Sequence, residues 1–419
     1  VPDTPSVSPL KIFASTAPGL ESIAAGELKA LGTRGRQEIG GVAFAADLHR
    51  LYEANLWLRT VSRVLVRLGS FHASTFYELE RRAKKLPWAD FLPPTGGVRV
   101  RVTCRKSKLY HSDAVAERVL SAIAGSASRA IDGRAEITDD NTDASENADA
   151  SENTDASENT DASENTDASE TADASDSQAT SRRDAAQLFI VRIVHDQCEI
   201  SADSSGDLLH RRGYRREIAK APLRETIAAA MVLASGWKGD EMLLDPMCGS
   251  GTIPIEAAMI ARNIAPGLRR RFQFMDWPSF DAERWDEIFA TAQAAVTDFS
   301  GEIVGADRDA GAVQAAARNA ERAGVSENVR FSQEAVSGSI AAIDESAKES
   351  GWILTNPPYG IRVGESDDLR NLYATLGSSL KSKPGWRLGV LTSDSALVRQ
   401  TRLSLRPRFS TSNGGIPVS

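Results

Sequence analysis

The chain is poor in the residues that build covalent or metal frameworks. It has three cysteines and five histidines in 419 residues, and Cys104, Cys198 and Cys248 stand far apart with no C-x-x-C and no Cys/His spacing. That pattern excludes a disulfide scaffold and a zinc finger, no metal is expected, and a reducing cytoplasm is the compartment it fits. No stretch of about 18 uninterrupted apolar residues occurs, so no membrane span is expected, and the N-terminus lacks a signal-peptide pattern. The chain opens on Val1 and not on Met, so its natural start is expected upstream.

What is present is ordinary globular material: 41% hydrophobic residues in 45.0 kDa, enough for two or three domains. The formal charge of −8 would argue against a polyanionic partner, but it is unevenly distributed. Residues 138–180 hold 14 acidic and no basic side chains; without them, basic side chains outnumber acidic ones. This insert is the six-residue repeat Asn-Thr-Asp-Ala-Ser-Glu, legible from Asn141 to Glu170. Lacking aromatic and large aliphatic residues, it cannot offset the entropy of ordering and is expected to be disordered. A nucleic-acid mimic and a neutral expansion inside a surface loop both remain open for it.

Periodicity divides the remainder. Residues 10–70 alternate short β-like runs (10–15, 41–44, 61–68) with amphipathic helical stretches (18–31, 47–57), a small α+β module. A second module is expected from Phe76, with a helix through Lys85, a strand over 98–104, a basic turn Arg105-Lys106-Ser107-Lys108, a helix over 113–123 and a closing strand over 188–194. From Tyr214 onward the pattern changes to longer βα units. Strands are expected at 242–244, 302–306, 329–332, 352–355 and 387–392, with helices over 221–236, 252–263 and 310–323. Asn413-Gly414-Gly415 reads as a hairpin turn. Such a succession predicts a doubly wound parallel sheet with an antiparallel ending.

Two motifs carry the chemistry. In Asp245-Pro-Met-Cys-Gly-Ser-Gly-Thr252, an apolar strand runs into a Gly-rich turn that opens a helix. Gly249 and Gly251 let backbone approach a ligand closely, and the helix N-terminus favours a carboxylate. No lysine follows Thr252, which argues against a phosphate-cradling NTPase loop. Asp307 closes the strand Ile303-Val-Gly-Ala-Asp307, where an acidic side chain takes ribose hydroxyls. A methyl donor such as S-adenosylmethionine offers a carboxylate and a ribose but no phosphate, and the set matches it. Asp309 reads as a helix N-cap, and Asp245 has that alternative too.

The second motif, Asn356-Pro357-Pro358-Tyr359, ends another apolar strand. An aromatic amine is a poor nucleophile because its lone pair is delocalised. Accepting both its N–H bonds, on the Asn356 side-chain oxygen and the Pro357 carbonyl, would localise that pair toward a methyl group, in a displacement governed by positioning. Tyr359 would stack on the base, which must be flipped from a helix or come from a single strand. A rigid turn with a buried tyrosine is the structural alternative. Two basic clusters with an aromatic suit phosphate contact and stacking: Arg101, Arg105, Lys106 and Lys108 with Tyr110, and Arg211, Arg212 and Arg215 with Tyr214. Arg269-Arg270-Arg271-Phe272 adds a third, and any of the three can equally be a solvated face.

At this point the chain resembles a known family. Phe76-Tyr-Glu-Leu-Glu, Arg101-Val-Thr-Cys-Arg-Lys-Ser-Lys-Leu-Tyr-His111, Leu209-His-Arg-Arg-Gly-Tyr-Arg215, Ala221-Pro-Leu-Arg-Glu-Thr-Ile227, Asp245 to Thr252 and Asn356-Pro-Pro-Tyr-Gly-Ile-Arg362 are similar to the THUMP-domain guanine N2-methyltransferases. The type that acts on bacterial 23S ribosomal RNA, alone or as the N-terminal half of a fused two-methyltransferase chain, is the nearest in pattern. The resemblance implies an α/β protein: a ferredoxin-like module over 1–72, a THUMP RNA-binding domain over 73–205 carrying the acidic repeat, and a class I, Rossmann-like methyltransferase domain over 206–419 that uses S-adenosylmethionine. It assigns the methionine end of the cofactor to the turn containing Asp245, Met247, Gly249 and Gly251, the ribose to Asp307, and the target amine to Asn356 and Pro357. One position departs: where relatives offer an Asp to the adenine amino group, this chain has Ala335 with Glu334 beside it. The implied partner is 23S rRNA or a precursor large-subunit particle, with tRNA second. An adenine N6 DNA methyltransferase shares the second motif without the basic segment, and a non-catalytic RNA-binding protein would keep the fold. No second methyltransferase follows Ser419, so only the guanine activity is implied.

Overall fold

The computed structural model describes residues 9–126, 133–137, 186–216, 223–345, 349–358, 366–381 and 383–419. The acidic repeat and Tyr359 lie outside them. Two compact units emerge: one comprises Val1–Arg67, Asp203–Met275 and Phe280–Ser419, the other Leu68–Ala202 and Asp276–Ser279.

The first unit contains two sheets built on different rules. Near the N-terminus, β1 (Leu10–Thr16), β2 (Arg36–Glu38), β3 (Gly41–Ala46) and β4 (Val61–His72, as far as Arg67) pair antiparallel in the order β2-β3-β1-β4. Helices Glu21–Ala30 and Leu48–Trp57 connect them, the second capped by the Asp47 carboxylate on the Arg50 N–H. This is the ferredoxin-like arrangement. The short edge strand β2 was not expected; it offers three residues of weak pattern, and only its pairing to β3 makes it a strand.

The second unit holds β5 (Val98–Arg105), β6 (Gly133–Ile137), β7 (Gln187–Val194) and β8 (Gln197–Asp203, as far as Ala202). Strand β5 lies parallel to both β6 and β7, and β7 turns antiparallel into β8. Along β5, Val98, Val100, Val102 and Cys104 are buried, while Arg99, Arg101, Thr103 and Arg105 share the opposite, partly exposed face. Period-two alternation thus sorts the basic stripe from the core. Helices Phe76–Ala83 and Ser112–Ser126 pack beside each other.

In the remainder of the first unit, β9 (Met242–Asp245), β10 (Ile303–Asp307), β11 (Val329–Gln333), β12 (Ser350–Thr355) and β13 (Gly385–Val390) form an all-parallel sheet in the order β11-β10-β9-β12-β13. Alternate residues feed two cores: Leu243, Ile303 and Leu354 on one face, Met242, Leu244, Val304 and Ile353 on the other. Both faces are covered, so the sheet is doubly wound. The antiparallel ending is a separate hairpin, β14 (Thr411–Asn413) with β15 (Ile416–Val418), turning at Gly414-Gly415.

Candidate active site at the carboxyl edge of the parallel sheet

The order of the strands fixes where a ligand can sit. The chain winds from β9 outward to β10 and β11, then returns to place β12 on the other side of β9. Ligands bind beyond the carboxyl ends of the strands at such a reversal. The sequence candidates fall there: the Gly-rich turn after β9, Asp307 at the end of β10, Glu334 after β11 and Asn356 after β12.

The turn is held open by its own hydrogen bonds. The Cys248 N–H reaches the Ala306 carbonyl (2.9 Å), the Gly251 N–H the Cys248 carbonyl (2.8 Å), and the Asn319 side-chain amide the Ser250 carbonyl (3.1 Å). Gly251 caps the helix Thr252–Ala261 at φ +84°, and a Cβ there would stand 2.9 Å from that of Ala316. Only glycine meets both demands. Gly249 is also left-handed, φ +52°, with open space where a Cβ would be, so its backbone is bare toward a ligand.

Asp307 is half-buried, and its two carboxylate oxygens are fixed by different amides: Gly249 N–H at 2.9 Å and Asp309 N–H at 3.0 Å. The Asp307 carbonyl in turn accepts the Glu334 N–H at 3.0 Å, tying the loops after β10 and β11 together. Glu334 is half-buried and Ala335 exposed. Asp309 is the N-cap of helix Ala310–Ala323, accepting from Gly311 and Ala312. Asp245 is not a cap: it is buried at 1% exposure, and its carboxylate accepts the Met247 N–H at 3.2 Å. Burial pushes its pKa up to about 7, with the Asp307 charge adding to the effect, against the pull of Thr355 and the Met247 N–H. Burial also drives the Cys248 thiol well above its ordinary range, which disfavours the reactive thiolate. Met247 and Asn356 are half-buried and Pro357 is buried.

The basic candidates separate. In the second unit, Lys106 and Lys108 are exposed and Arg101 and Arg105 partly so. Arg211 is exposed beside Asp207 (3.7 Å). Arg212, in contrast, is 2% exposed: one guanidinium nitrogen donates to the Leu209 carbonyl (2.6 Å), another to the Arg59 carbonyl, and its Nε lies 3.5 Å from the Glu256 carboxylate. Arg215 donates to the Leu223 carbonyl (2.6 Å) and lies 3.1 Å from Glu225, whose pKa burial raises to about 7. Arg270 is likewise turned inward onto the carbonyls of Leu208 (2.9 Å) and Asp207 (2.6 Å). Tyr214 is a core residue bonded to Glu256 (3.0 Å). No sequence signal marked Glu256 or Asn319, because their partners lie on distant segments.

Among the described residues, no cluster of His, Cys, Asp or Glu could hold a metal ion, and no helix is long and apolar enough to cross a membrane. A parallel sheet in this order, with a lysine-free glycine turn and an acidic second-strand end, is that of a class I methyltransferase using S-adenosylmethionine. The family assignment follows from similarity: residues 212–417 match the RMKL-like methyltransferase domain and residues 11–65 the RlmL ferredoxin-like domain. The protein slr0064 of Synechocystis sp., provisionally named an RNA methyltransferase, is 33% identical over 100% of this chain and 98% of its own. The chain belongs to this RMKL-like methyltransferase family. Ribosomal RNA large subunit methyltransferase K/L of Syntrophotalea carbinolica is 33% identical over 98% of this chain but 53% of its own length, so the chain spans about half of that relative. Among solved structures, SMU.472, provisionally named a methyltransferase and complexed with S-adenosylhomocysteine, superimposes with a TM-score of 0.78 at 26% identity, covering 98% of this chain and 97% of that one.

Proposed function

We propose that the chain transfers the methyl group of S-adenosylmethionine to the exocyclic N2 of a guanine in 23S rRNA. The observation that carries this reading is the position of Asn356-Pro357, at the end of β12, across the winding reversal from the Gly249–Gly251 turn. The names of the K/L relatives support ribosomal RNA as the substrate.

The residues fit the cofactor. Each Asp307 oxygen receives one N–H, which leaves lone pairs for two ribose hydroxyls. The open backbone at Gly249 and the helix N-terminus behind Gly251 suit the methionine carboxylate, with Asp245 and Met247 lining that end and Glu334 and Ala335 at the adenine end. When bound, the cofactor supplies an electrophilic methyl group. The protein's part is to present the nucleophile. Asn356 Oδ1 and the Pro357 carbonyl accept the two N–H bonds of the guanine amine, turning its lone pair out of conjugation and toward the methyl group, and the methylated amine then loses its extra proton to water. Tyr359 stacks on the flipped base. Lys106, Lys108, Arg101, Arg105 and Arg211 contact phosphates, with domain limits at 1–72, 73–205 and 206–419. Replacing Asn356 with Ala tests the reading: single-turnover transfer should fall about 10²–10³-fold, the scale of losing one preorganised polar contact at a reacting centre, with RNA affinity retained. Undiminished transfer would overturn it.

A further inference from the structure

Of the aromatic side chains among the described residues, two are strongly exposed: Tyr77 at 73% and Tyr110 at 68%. Both lie in the second unit. Tyr77 belongs to the Phe76-Tyr-Glu-Leu-Glu segment, to which the chemistry of the methyltransferase edge gives no role.

Hydrogen bonds tie the segments that lead into the two tyrosines to one turn. The β7–β8 hairpin turns at His195-Asp196, and the Asp196 carbonyl accepts the Ala73 N–H at 2.8 Å, just ahead of the Tyr77 helix. The Asp196 carboxylate accepts the Lys108 N–H at 2.7 Å, and the Asp196 N–H donates to Ser107 Oγ at 3.0 Å, just ahead of Tyr110. Helices Phe76–Ala83 and Ser112–Ser126 therefore leave from the same turn, and Arg118 meets Glu80 across them at 3.5 Å. Lys106, His195 and Asp196 all have left-handed backbone, with φ of 49°, 51° and 60°. At His195-Asp196 the pair is the one a two-residue hairpin turn demands, and at Lys106 such an angle is uncommon for a residue other than glycine.

The Arg81 guanidinium lies 5.7 Å from the centre of the Tyr77 ring. Tyr110 has the His111 ring 4.0 Å away and closely follows the exposed Lys106 and Lys108 in the chain. Of the nearby carboxylates, Glu78 is engaged by Ser74, Glu80 by Lys84 and Arg118, and Asp196 by the Lys108 amide, while Asp113 and Glu117 on the second helix are exposed. A ring left in water adds nothing to the core, but beside fixed positive charge it suits an unpaired base and its phosphate.

We propose that this corner is a stacking platform for single-stranded nucleotides of the RNA substrate, with Tyr77 and Tyr110 each taking a base face and Lys106 and Lys108 the adjoining phosphates. It rests on the reading that the substrate is RNA, not on the identity of the methylated atom. The test is fluorescence anisotropy of the full chain with a short labelled RNA of mixed sequence, single-stranded or annealed to its complement. Tyr77→Ala and Tyr110→Ala should each weaken single-strand binding about tenfold, the worth of one base–aromatic stack, with little change for the duplex. Tyr77→Phe and Tyr110→Phe, which keep the ring, should bind as wild type. Lys106→Ala should lower the salt dependence of binding by about 0.7 in log–log slope. Wild type that fails to bind the single strand, Ala variants that bind as wild type, or losses equal on strand and duplex would each overturn the platform. Product analysis at saturating RNA is independent: absent N2-methylguanosine with an intact stacking effect would sink the proposed chemistry and leave the platform standing.

Discussion

At the scale of single residues, the site separates charge by burial. Asp307 is half-exposed and tethered by two amides, whereas Asp245 is enclosed and its pKa is raised to about 7. A carboxyl whose folded pKa exceeds its unfolded value stabilises the fold below the unfolded pKa, near 4, and loses that contribution as pH rises through about 7. Glu225, raised to about 7 by its own burial, acts in the same direction. Thermal or urea stability of the cofactor-free protein should therefore decline between roughly pH 4 and 7, by at most about 1.4 kcal/mol per pH unit for each group. Asp245→Asn should flatten that slope and gain stability at pH 8; an unchanged pH profile would show that Asp245 is ionised in the fold. Asp307→Ala should cost cofactor affinity more than stability, read by calorimetric titration with S-adenosylhomocysteine. That Gly249, Gly251, Asp307 and Asn356 would stand at turns and strand ends was legible in the sequence, because turn geometry and strand-end position demand particular residue types. Arg212 was not, since a basic run is the same string whether it faces water or a buried Glu256.

At the scale of elements, the lysine-free turn between β9 and its helix depends on Gly251. An alanine there must hold φ near +84° and press its Cβ to 2.9 Å from Ala316. Gly251→Ala should destabilise the unit by about 2–3 kcal/mol, the sum of left-handed strain and overpacking, and weaken cofactor binding, as seen by urea unfolding with and without ligand. A neutral substitution would mean that the turn can relax. In the parallel sheet, β9, β10 and β12 were readable from short apolar runs ending at Asp245, Asp307 and Asn356. The β7–β8 hairpin was not, because its two-residue turn is His195-Asp196 in place of the Asn-Gly that announces a left-handed pair. Helix Ala282–Ala294 also escaped notice: only Trp285, Ile288 and Ala292 are buried along it, too thin a stripe to declare a period.

At the scale of the molecule, the N-terminal ferredoxin-like sheet and the methyltransferase sheet belong to one unit, and buried charge joins them. The Glu27 carboxylate accepts the Arg59 N–H (2.7 Å), the Thr60 N–H (3.1 Å) and the Thr60 hydroxyl. The Arg59 side chain, its pKa lowered to about 10 by burial, donates to the Ile264 carbonyl (2.6 Å), and the Arg59 carbonyl receives Arg212, which faces Glu256. Tyr52 adds an aromatic contact, stacking on Phe274 at 4.4 Å. Removing one member strands the others: Arg212→Ala should destabilise by about 3–5 kcal/mol in urea melts, because it leaves the Glu256 charge buried without its arginine. If Arg212 instead served RNA, the variant would fold as wild type and bind RNA less tightly.

The central claim, a methyl group placed on guanine N2 of 23S rRNA, is tested most directly by incubating the protein with labelled S-adenosylmethionine and total RNA lacking its own modification, then analysing nucleosides from separated rRNA and tRNA. The expected product is N2-methylguanosine in 23S rRNA, absent with Asn356→Ala. Label in tRNA alone, or on adenine N6, would contradict the account.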